Sequence, residues 1–128
     1  MNATRPRLRV PERDILASVL DYLAVRRDVA MFWRANSGAM KQGDEIQKRY
    51  VPFAYGRDAK GMSDVCGMLD GGTFFAIETK AFGKKPTKDQ QEFLDKVRSG
   101  GGLAIVARSI DDVVAGMPAV VMVARGRR

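Results

Sequence analysis

The chain has 128 residues, enough for one domain that buries roughly two thirds of the surface its unfolded chain exposes. Its 22 Lys and Arg outnumber 15 Asp and Glu, and the net charge of +7 favours a polyanionic partner such as nucleic acid over a merely solubilising basic surface. The absence of His and the single Cys66 exclude His-dependent catalysis, Cys/His zinc sites and internal disulfides.

The first third of the chain predicts one helix and one strand. Pro11 is a good first helical residue, and apolar residues recur at helical spacing from there to about Val29. "MFWRANS" at 31–37 predicts a strand, and the polar stretch at 38–49 predicts a loop. No apolar run approaches the roughly 20 residues of a membrane span, so we expect no membrane association.

The middle of the chain predicts a short edge strand and a tight hairpin. "YVPFAY" at 50–55 contains Pro52, which cannot donate a ladder hydrogen bond and so favours an edge position. "DVCGML" at 64–69 and "TFFAIETK" at 73–80 are separated by "DGG", a strong hairpin signal. The start of one strand should therefore lie beside the end of the other.

The last third predicts a helix, a strand and a second helix. Thr87 and Gln90 form a capping box that begins the first of these helices. "LAIVA" at 103–107 predicts a continuous apolar strand of the central type. Ser109 caps the short helix "SIDDVVAG", and "AVVMVA" at 119–124 fits either a strand or the end of that helix.

Together these elements predict a single α/β domain over residues 1–128, in which a mixed central sheet is flanked by helices. The predicted order is α-β-β-β-β-α-β-α. We expect the arginine-rich ends, residues 1–9 and 125–128, to be a basic arm and a basic tail. The arm has no apolar segment of the kind found in secretory signals, and the single cysteine fits a reducing cytoplasm.

Acidic residues and a lysine fall at one end of the predicted hairpin. Residues two apart on a strand share a face, so Glu78 and Lys80 should point one way and Thr79 the other. The hairpin brings Asp64 near Glu78, and apposed carboxylates repel unless one is protonated or a cation lies between them. Without His or Cys ligands that cation should be Mg²⁺ or Mn²⁺, with the Thr79 backbone carbonyl as a further ligand. The alternative is a plain salt bridge between Glu78 and Lys80.

Glu12 and Gln90 each have a structural and a functional interpretation. Glu12 lies on the core-facing stripe of the first helix, but the helix dipole alone favours a Glu in the first turn. The capping box alone explains Gln90. Taken one at a time, neither residue is assigned to a site.

Three motifs together resemble the PD-(D/E)xK nucleases: "GMSD" at 61–64, "ETK" at 78–80 and the helix opening "TKDQQEF". The similarity is closest to the VRR-NUC branch, in the small stand-alone form typical of bacteriophage. It extends from Glu12 through "GGLAIVARSIDD". One departure is Ser63, which stands where the family pattern usually has Pro.

The resemblance implies a restriction-endonuclease-like core and metal-dependent phosphodiester hydrolysis, with Holliday-junction resolution as the nearest activity. It implies that Asp64 and Glu78 bind Mg²⁺ or Mn²⁺, that Lys80 is the catalytic lysine, and that Glu12 and Gln90 support the site, with Glu12 also a possible metal ligand. A phage-encoded protein of this kind would act in the cytoplasm of a bacterial host cell.

Basic residues are expected to surround the acidic centre. They lie within the strand predicted at 31–37, in the loop before Asp64 and in the stretch after Lys80. Contacts to the phosphate backbone carry no base sequence information, so structure-selective cleavage is expected. The predicted DNA-binding residues are Arg34, Arg57, Lys60, Lys84, Lys85 and Lys88.

A four-way junction has two-fold symmetry and needs two cuts, which predicts a homodimer. Candidate dimer surfaces are 119–124 and 31–33, although we expect Trp33 to be ordinary core. Two alternatives stay open: the same chemistry on flaps, single strands or duplex DNA, and a non-catalytic DNA-binding module. The presence of both acids and Lys80 speaks against the second alternative.

Overall fold

The computed structural model describes residues 9–35, 39–42, 49–52 and 60–119. Within them, four strands form a mixed sheet of order β1-β4-β5-β6, and β2 and β3 form a separate antiparallel pair. The predicted α/β architecture of a mixed sheet flanked by helices is therefore confirmed. The elements are α1 Glu12–Val25, β1 Val29–Arg34, β2 Ala39–Gln42, β3 Arg49–Pro52, β4 Val65–Leu69, β5 Phe74–Thr79, α2 Lys88–Ser99, β6 Leu103–Ala107 and α3 Ile110–Gly116.

Helix α1 ends four residues before the predicted end at Val29, so that prediction is wrong. The cause is Arg26, which leaves the helix with extended backbone and whose side chain is buried. Its guanidinium donates to both carboxylate oxygens of Asp28, at 2.6 and 2.9 Å, and to the Tyr22 hydroxyl at 2.8 Å. It also donates to the Pro118 carbonyl, which ties the start of β1 to the end of α3.

The hairpin between β4 and β5 is confirmed. The strands pair antiparallel, with Val65 opposite Ile77. Gly71 and Gly72 have φ of +93° and +96°, a backbone conformation that glycine adopts without steric cost, and this allows the tight connection. The register places the residue before Val65 beside the residue after Ile77, and these are the two predicted acids.

The outer strands differ from expectation. The strand predicted at 31–37 runs from Val29 to Arg34, and β2 occupies part of the stretch predicted as a loop at 38–49. The strand at 103–107 pairs parallel with β5, but it is the last strand of the described sheet and is only partly buried, so its assignment as a central strand is wrong. Residues 120–128, and with them most of the segment at 119–124, lie outside the described residues, as do residues 1–8.

The two faces of the sheet are covered by different helices. The buried side chains of α1 and α3 pack on one face with Val65, Phe75 and Ile77. On the other face, Cys66 and Ala76 pack with side chains from α2. Burial of each large apolar side chain contributes about 1.5–3 kcal/mol, so the main core lies under α1 and α3.

Cys66 packs in the interior as predicted, whereas Trp33 is partly exposed instead of buried in the core. Cys66 is buried. Trp33 is 44% exposed and Met31 is 52% exposed, so the prediction of Trp33 as core is wrong. Strand β1 is the first strand of the described sheet and pairs with a strand, β4, on one side only, so these side chains lie at the border of the sheet. No helix among the described residues is long and apolar enough to cross a membrane.

Helix α2 begins as predicted. The Thr87 side chain accepts a hydrogen bond from the Gln90 N–H at 3.2 Å, and the Gln90 side chain accepts one from the Thr87 N–H at 2.9 Å. Ser109 occupies the N-cap position of α3 as expected, but its side chain makes no capping hydrogen bond there. The Asp112 carboxylate instead accepts the Arg108 N–H at 2.8 Å.

Candidate active site

The sheet ends in a row of charged residues. Asp64 immediately precedes β4, Glu78 and Lys80 lie at the end of β5, Arg34 ends β1, and Arg108 follows β6. Strand pairing brings these ends together, because β1 and β5 run antiparallel to β4 and β6 runs parallel to β5. The topology alone therefore gathers two carboxylates, a lysine and two arginines at one end of the sheet, which we call the charged edge.

Asp64 is held by its neighbour on β5. The Thr79 N–H donates to Asp64 Oδ2 at 2.9 Å, and the Thr79 hydroxyl donates to the same oxygen at 2.8 Å. The prediction that Thr79 points away from the acids is wrong for its hydroxyl. Since β4 begins only at Val65, the Asp64 carboxylate accepts the Thr79 N–H at the place where a strand carbonyl would otherwise do so.

Glu78 is a buried carboxyl beside a second carboxyl. It is 2% exposed, and its Oε2 has no hydrogen-bond partner among the described residues. Burial, followed by the negative charge of Asp64, raises the pKa of Glu78 to about 8; a hydrogen bond that the protonated carboxyl makes with Asp64 adds to this effect, while Lys80 acts in the opposite direction. Glu78 is therefore poised to hold a proton at neutral pH or to give it up to a cation.

The acids also influence Cys66 on the same face of the sheet. Burial raises the pKa of the Cys66 thiol to about 12, and the charges of Glu78 and Asp64 add to this effect. The thiol is therefore neutral at physiological pH, and it forms part of the wall beside the acidic pair.

Lys80 lies next to Glu78, as the two-residue spacing predicts. Its Nζ is 3.9 Å from Glu78 Oε1, and the side chain is 13% exposed. The predicted alternative, a salt bridge, is thus present. It accounts for only one of the two Glu78 oxygens, since Oε2 has no partner in the described part of the chain.

Glu12 and Gln90 differ in how they relate to the acids. Glu12 Oε1 accepts the Ala81 N–H at 3.1 Å, so the first turn of α1 meets the chain directly after Lys80. The Glu12 charge contributes to raising the pKa of Glu78. The Gln90 side chain serves the capping box.

Glycine at position 61 lets the chain before Asp64 approach α2 closely. The backbone of Gly61 has φ of +77°, and a Cβ there would lie 2.2 Å from the Asp89 carbonyl oxygen. The loop that carries Asp64 therefore rests directly on the first turn of α2. The contact places the backbone N–H of Gln90 against Gly61, while the Gln90 side chain is engaged in the cap and makes no hydrogen bond with the acids among the described residues.

The chemistry of the acidic pair fits a hard cation. Across the residues that the structure describes, no three His, Cys, Asp or Glu side chains are grouped closely enough to hold a metal ion, so Glu12 as a ligand stays a prediction. Asp64 and Glu78 alone supply carboxylate oxygens, one of them the unpartnered and buried Oε2 of Glu78. The N–H and C=O of a strand residue face the same neighbour, so the Thr79 carbonyl also lies on the Asp64 side. An all-oxygen set of this kind suits Mg²⁺ or Mn²⁺ with waters completing the coordination.

The predicted DNA-binding residues lie on the surface where they are described. Arg34, Lys84, Lys85 and Lys88 are exposed. Lys60 is exposed too, and its Nζ is 3.4 Å from the Asp89 carboxylate. Arg57 lies outside the described residues.

Arg108 is a residue of this edge that the sequence analysis missed. Its guanidinium Nε and Nη2 donate to the Lys84 carbonyl at 3.1 and 2.6 Å, so it fixes the basic loop beside the acids. One signal could have found it: an arginine that directly follows an apolar strand lies at the carboxyl end of that strand. In a parallel pair, this end shares an edge with the end of the neighbouring strand.

Comparison of the chain with family models, curated proteins and solved structures found no significant match. Within the described residues, the fold and the site define the molecule at the level of class: an α/β protein with a mixed four-stranded sheet and, at one end of that sheet, the buried Glu78 beside the partly exposed Asp64. Membership of the PD-(D/E)xK nucleases stays a prediction.

Proposed function

We propose that this protein is a divalent-metal-dependent endodeoxyribonuclease of the PD-(D/E)xK type, similar to the VRR-NUC nucleases. The observation that carries the proposal is the buried Glu78 carboxyl, which has one unpartnered oxygen and lies beside Asp64 and Lys80. A second carboxyl next to a buried one destabilises the fold unless a proton or cation compensates for it. A purely structural role would be served better by apolar side chains at this edge.

Each side chain has a role in phosphodiester hydrolysis. Asp64, Glu78 and the Thr79 carbonyl would hold the metal ion, and Glu12 is a further candidate. Bound Mg²⁺ or Mn²⁺ would supply polarisation of a phosphate oxygen and acidification of a coordinated water. Lys80, whose Nζ is 3.9 Å from Glu78 Oε1, would orient the attacking water or stabilise negative charge that develops on the phosphate.

The width and charge of the edge suit a nucleic-acid backbone. Neighbouring strands are spaced about 4.8 Å apart, so the edge from Arg34 to Arg108 spans about 14 Å, which corresponds to roughly four base-pair steps of about 3.4 Å along the axis of a DNA helix. Exposed Lys84, Lys85 and Lys88 extend the positive surface along the chain after β5. A strand bound across this edge would place one phosphate at the acids and its neighbours at the arginines.

The proposed substrate is branched DNA, with the four-way junction as the preferred form. Backbone contacts favour recognition of shape over base sequence. A homodimer would supply the two active sites that a two-fold symmetric junction requires.

Cleavage of a panel of labelled DNA substrates tests the proposal. With Mg²⁺ or Mn²⁺ the protein should cut a four-way junction faster than a linear duplex, flap or single strand, and EDTA should stop the reaction. Lys80→Ala should lose cleavage but keep DNA binding. Exposed Glu92 provides a matched control, since Glu92→Gln should cut normally whereas Glu78→Gln should not.

Three possible outcomes would each refute a different part of the proposal: the junction selectivity, the location of the active site, or catalysis itself. Equal cutting of duplex and junction would refute junction selectivity and leave the nuclease assignment in place. Full turnover by Asp64→Ala or Glu78→Gln would show that the active site is elsewhere. DNA binding without cleavage of any substrate would identify a binding module instead of a nuclease.

A further inference from the structure

We infer that the Thr79 hydroxyl is a positioning group that orients Asp64 for cation binding. The inference deepens the proposed function and rests on it. Two donors from a single residue, the Thr79 backbone N–H and its hydroxyl, converge on one oxygen of Asp64 at 2.9 and 2.8 Å. A carboxylate held by two bonds at one oxygen has a defined orientation, and neither of these bonds uses its other oxygen, Oδ1.

The choice of residue at position 79 supports a role for the hydroxyl. Thr79 is 3% exposed at the end of an otherwise apolar strand, "FFAI". Val has nearly the same shape and fits a buried strand without a hydroxyl that needs a hydrogen-bond partner. Among the described residues, the Thr79 side chain makes one hydrogen bond, and its partner is Asp64.

The geometry separates the role of the hydroxyl from that of the backbone. The Thr79 N–H already links Asp64 to β5, and this bond persists whatever side chain occupies position 79. The hydroxyl adds a second restraint on the rotation of the Asp64 carboxylate. Groups that orient a metal ligand in this way typically change metal affinity or activity by about 10–100-fold when they are removed.

A purely structural role of the Thr79 hydroxyl would give a different result from the positioning role that we infer. If the hydroxyl served only to fasten the start of β4, its loss would lower stability but leave cation affinity unchanged. If it positions Asp64, its loss would weaken cation binding even in a fully folded protein. Binding of Mn²⁺ alone, without DNA, therefore distinguishes the two accounts and does not depend on catalytic activity.

The test measures Mn²⁺ affinity of the full chain by isothermal titration calorimetry and by electron paramagnetic resonance of free Mn²⁺. Thr79→Val removes the hydroxyl at constant shape and should weaken Mn²⁺ binding by about 10–100-fold. Thr79→Ser retains a hydroxyl and should bind Mn²⁺ nearly as tightly as the wild type. Exposed Thr73, in the hairpin turn, is the matched control: Thr73→Val should leave Mn²⁺ affinity unchanged.

Every outcome bears on the inference. Circular dichroism and thermal unfolding in EDTA establish that each variant is folded, and Thr79→Ala replaces Thr79→Val if the latter is not. Wild-type affinity in a folded variant without the hydroxyl, together with loss of binding in Asp64→Asn, would overturn the inference and leave the proposed function intact. Wild-type Mn²⁺ affinity in both Asp64→Asn and Glu78→Gln would overturn the proposed function itself.

Discussion

Replacement of Glu78 by Gln should stabilise the metal-free protein at alkaline pH. The Glu78 carboxyl is 2% exposed and lies beside Asp64, and its pKa is raised from the ordinary 4.5 to about 8. In the unfolded chain Glu78 loses its proton near pH 4.5, whereas in the folded chain it keeps the proton up to about pH 8. Between these values the folded state binds more protons than the unfolded state, so the free energy of unfolding must fall as pH rises.

The two pKa values set the size of the effect. Between pH 5.5 and pH 8.5, a carboxyl that titrates at 4.5 when unfolded and at about 8 when folded lowers the free energy of unfolding by about 3 kcal/mol. A domain of this size has a total stability of about 5–15 kcal/mol, so the change is a large fraction of it. Glu78→Gln has no charge to bury, and its stability should lack this component.

Urea unfolding in EDTA at the two pH values measures the difference. The wild type should lose about 3 kcal/mol more than Glu78→Gln on going from the lower to the higher pH. Glu92→Gln, an exposed substitution of the same kind, should follow the wild type. Mn²⁺ at 100 times its dissociation constant should restore about 2.7 kcal/mol to the wild type but not to Glu78→Gln. Parallel pH profiles of wild type and Glu78→Gln would refute the account of Glu78 as a destabilising buried carboxyl.

Three further substitutions or reactions test the surroundings of the site. Gly61→Ala should lower the free energy of unfolding by more than about 2 kcal/mol, because the added Cβ would lie 2.2 Å from the Asp89 carbonyl and φ is +77°; an unchanged melting temperature would contradict the close contact. Ser63→Ala should leave stability in urea unchanged or raise it by about 1 kcal/mol, since the buried hydroxyl has no partner among the described residues; a clear loss would show that the hydroxyl is bonded. Cys66 should react with a thiol reagent only after unfolding, given its burial and a pKa of about 12; fast native reaction would contradict this.

Local sequence signals predicted the hairpin and the start of α2 well. The "DGG" turn needs two glycines with positive φ, and the capping box needs only Thr87 and Gln90, so neither depends on distant parts of the chain. The register that this turn imposes on β4 and β5 then sufficed to predict that Asp64 lies next to Glu78. The acidic pair was accessible from sequence because a tight turn fixes the register of the strands that it joins.

Features that depend on tertiary contacts were not predictable in the same way. The apolar pattern of α1 continues past its true end, and the helix stops where Arg26 binds Asp28 and the distant Pro118 carbonyl. The two-residue period placed the Thr79 hydroxyl away from the acids, but at the end of a strand the side chain turns to the nearest acceptor, Asp64. The link from Arg108 to the loop after β5 likewise joins segments that only folding brings together.

The position of Glu12 was predictable from sequence, but its hydrogen-bond partner was not. Helical spacing placed it on the inner stripe of α1, and its carboxylate accepts the Ala81 N–H two residues after the end of β5. Sequence alone gave no reason to expect a backbone N–H as its partner, because that contact joins residues far apart in the chain.

Anomalous diffraction from a crystal soaked in Mn²⁺ would locate a metal ion at the acidic pair. We expect a manganese peak between the carboxylates of Asp64 and Glu78, within ligand distance of the Thr79 carbonyl, and no such peak in Glu78→Gln. Density for manganese only at other places, or a wild-type crystal in which both carboxylates stay free of metal at saturating Mn²⁺, would contradict this expectation.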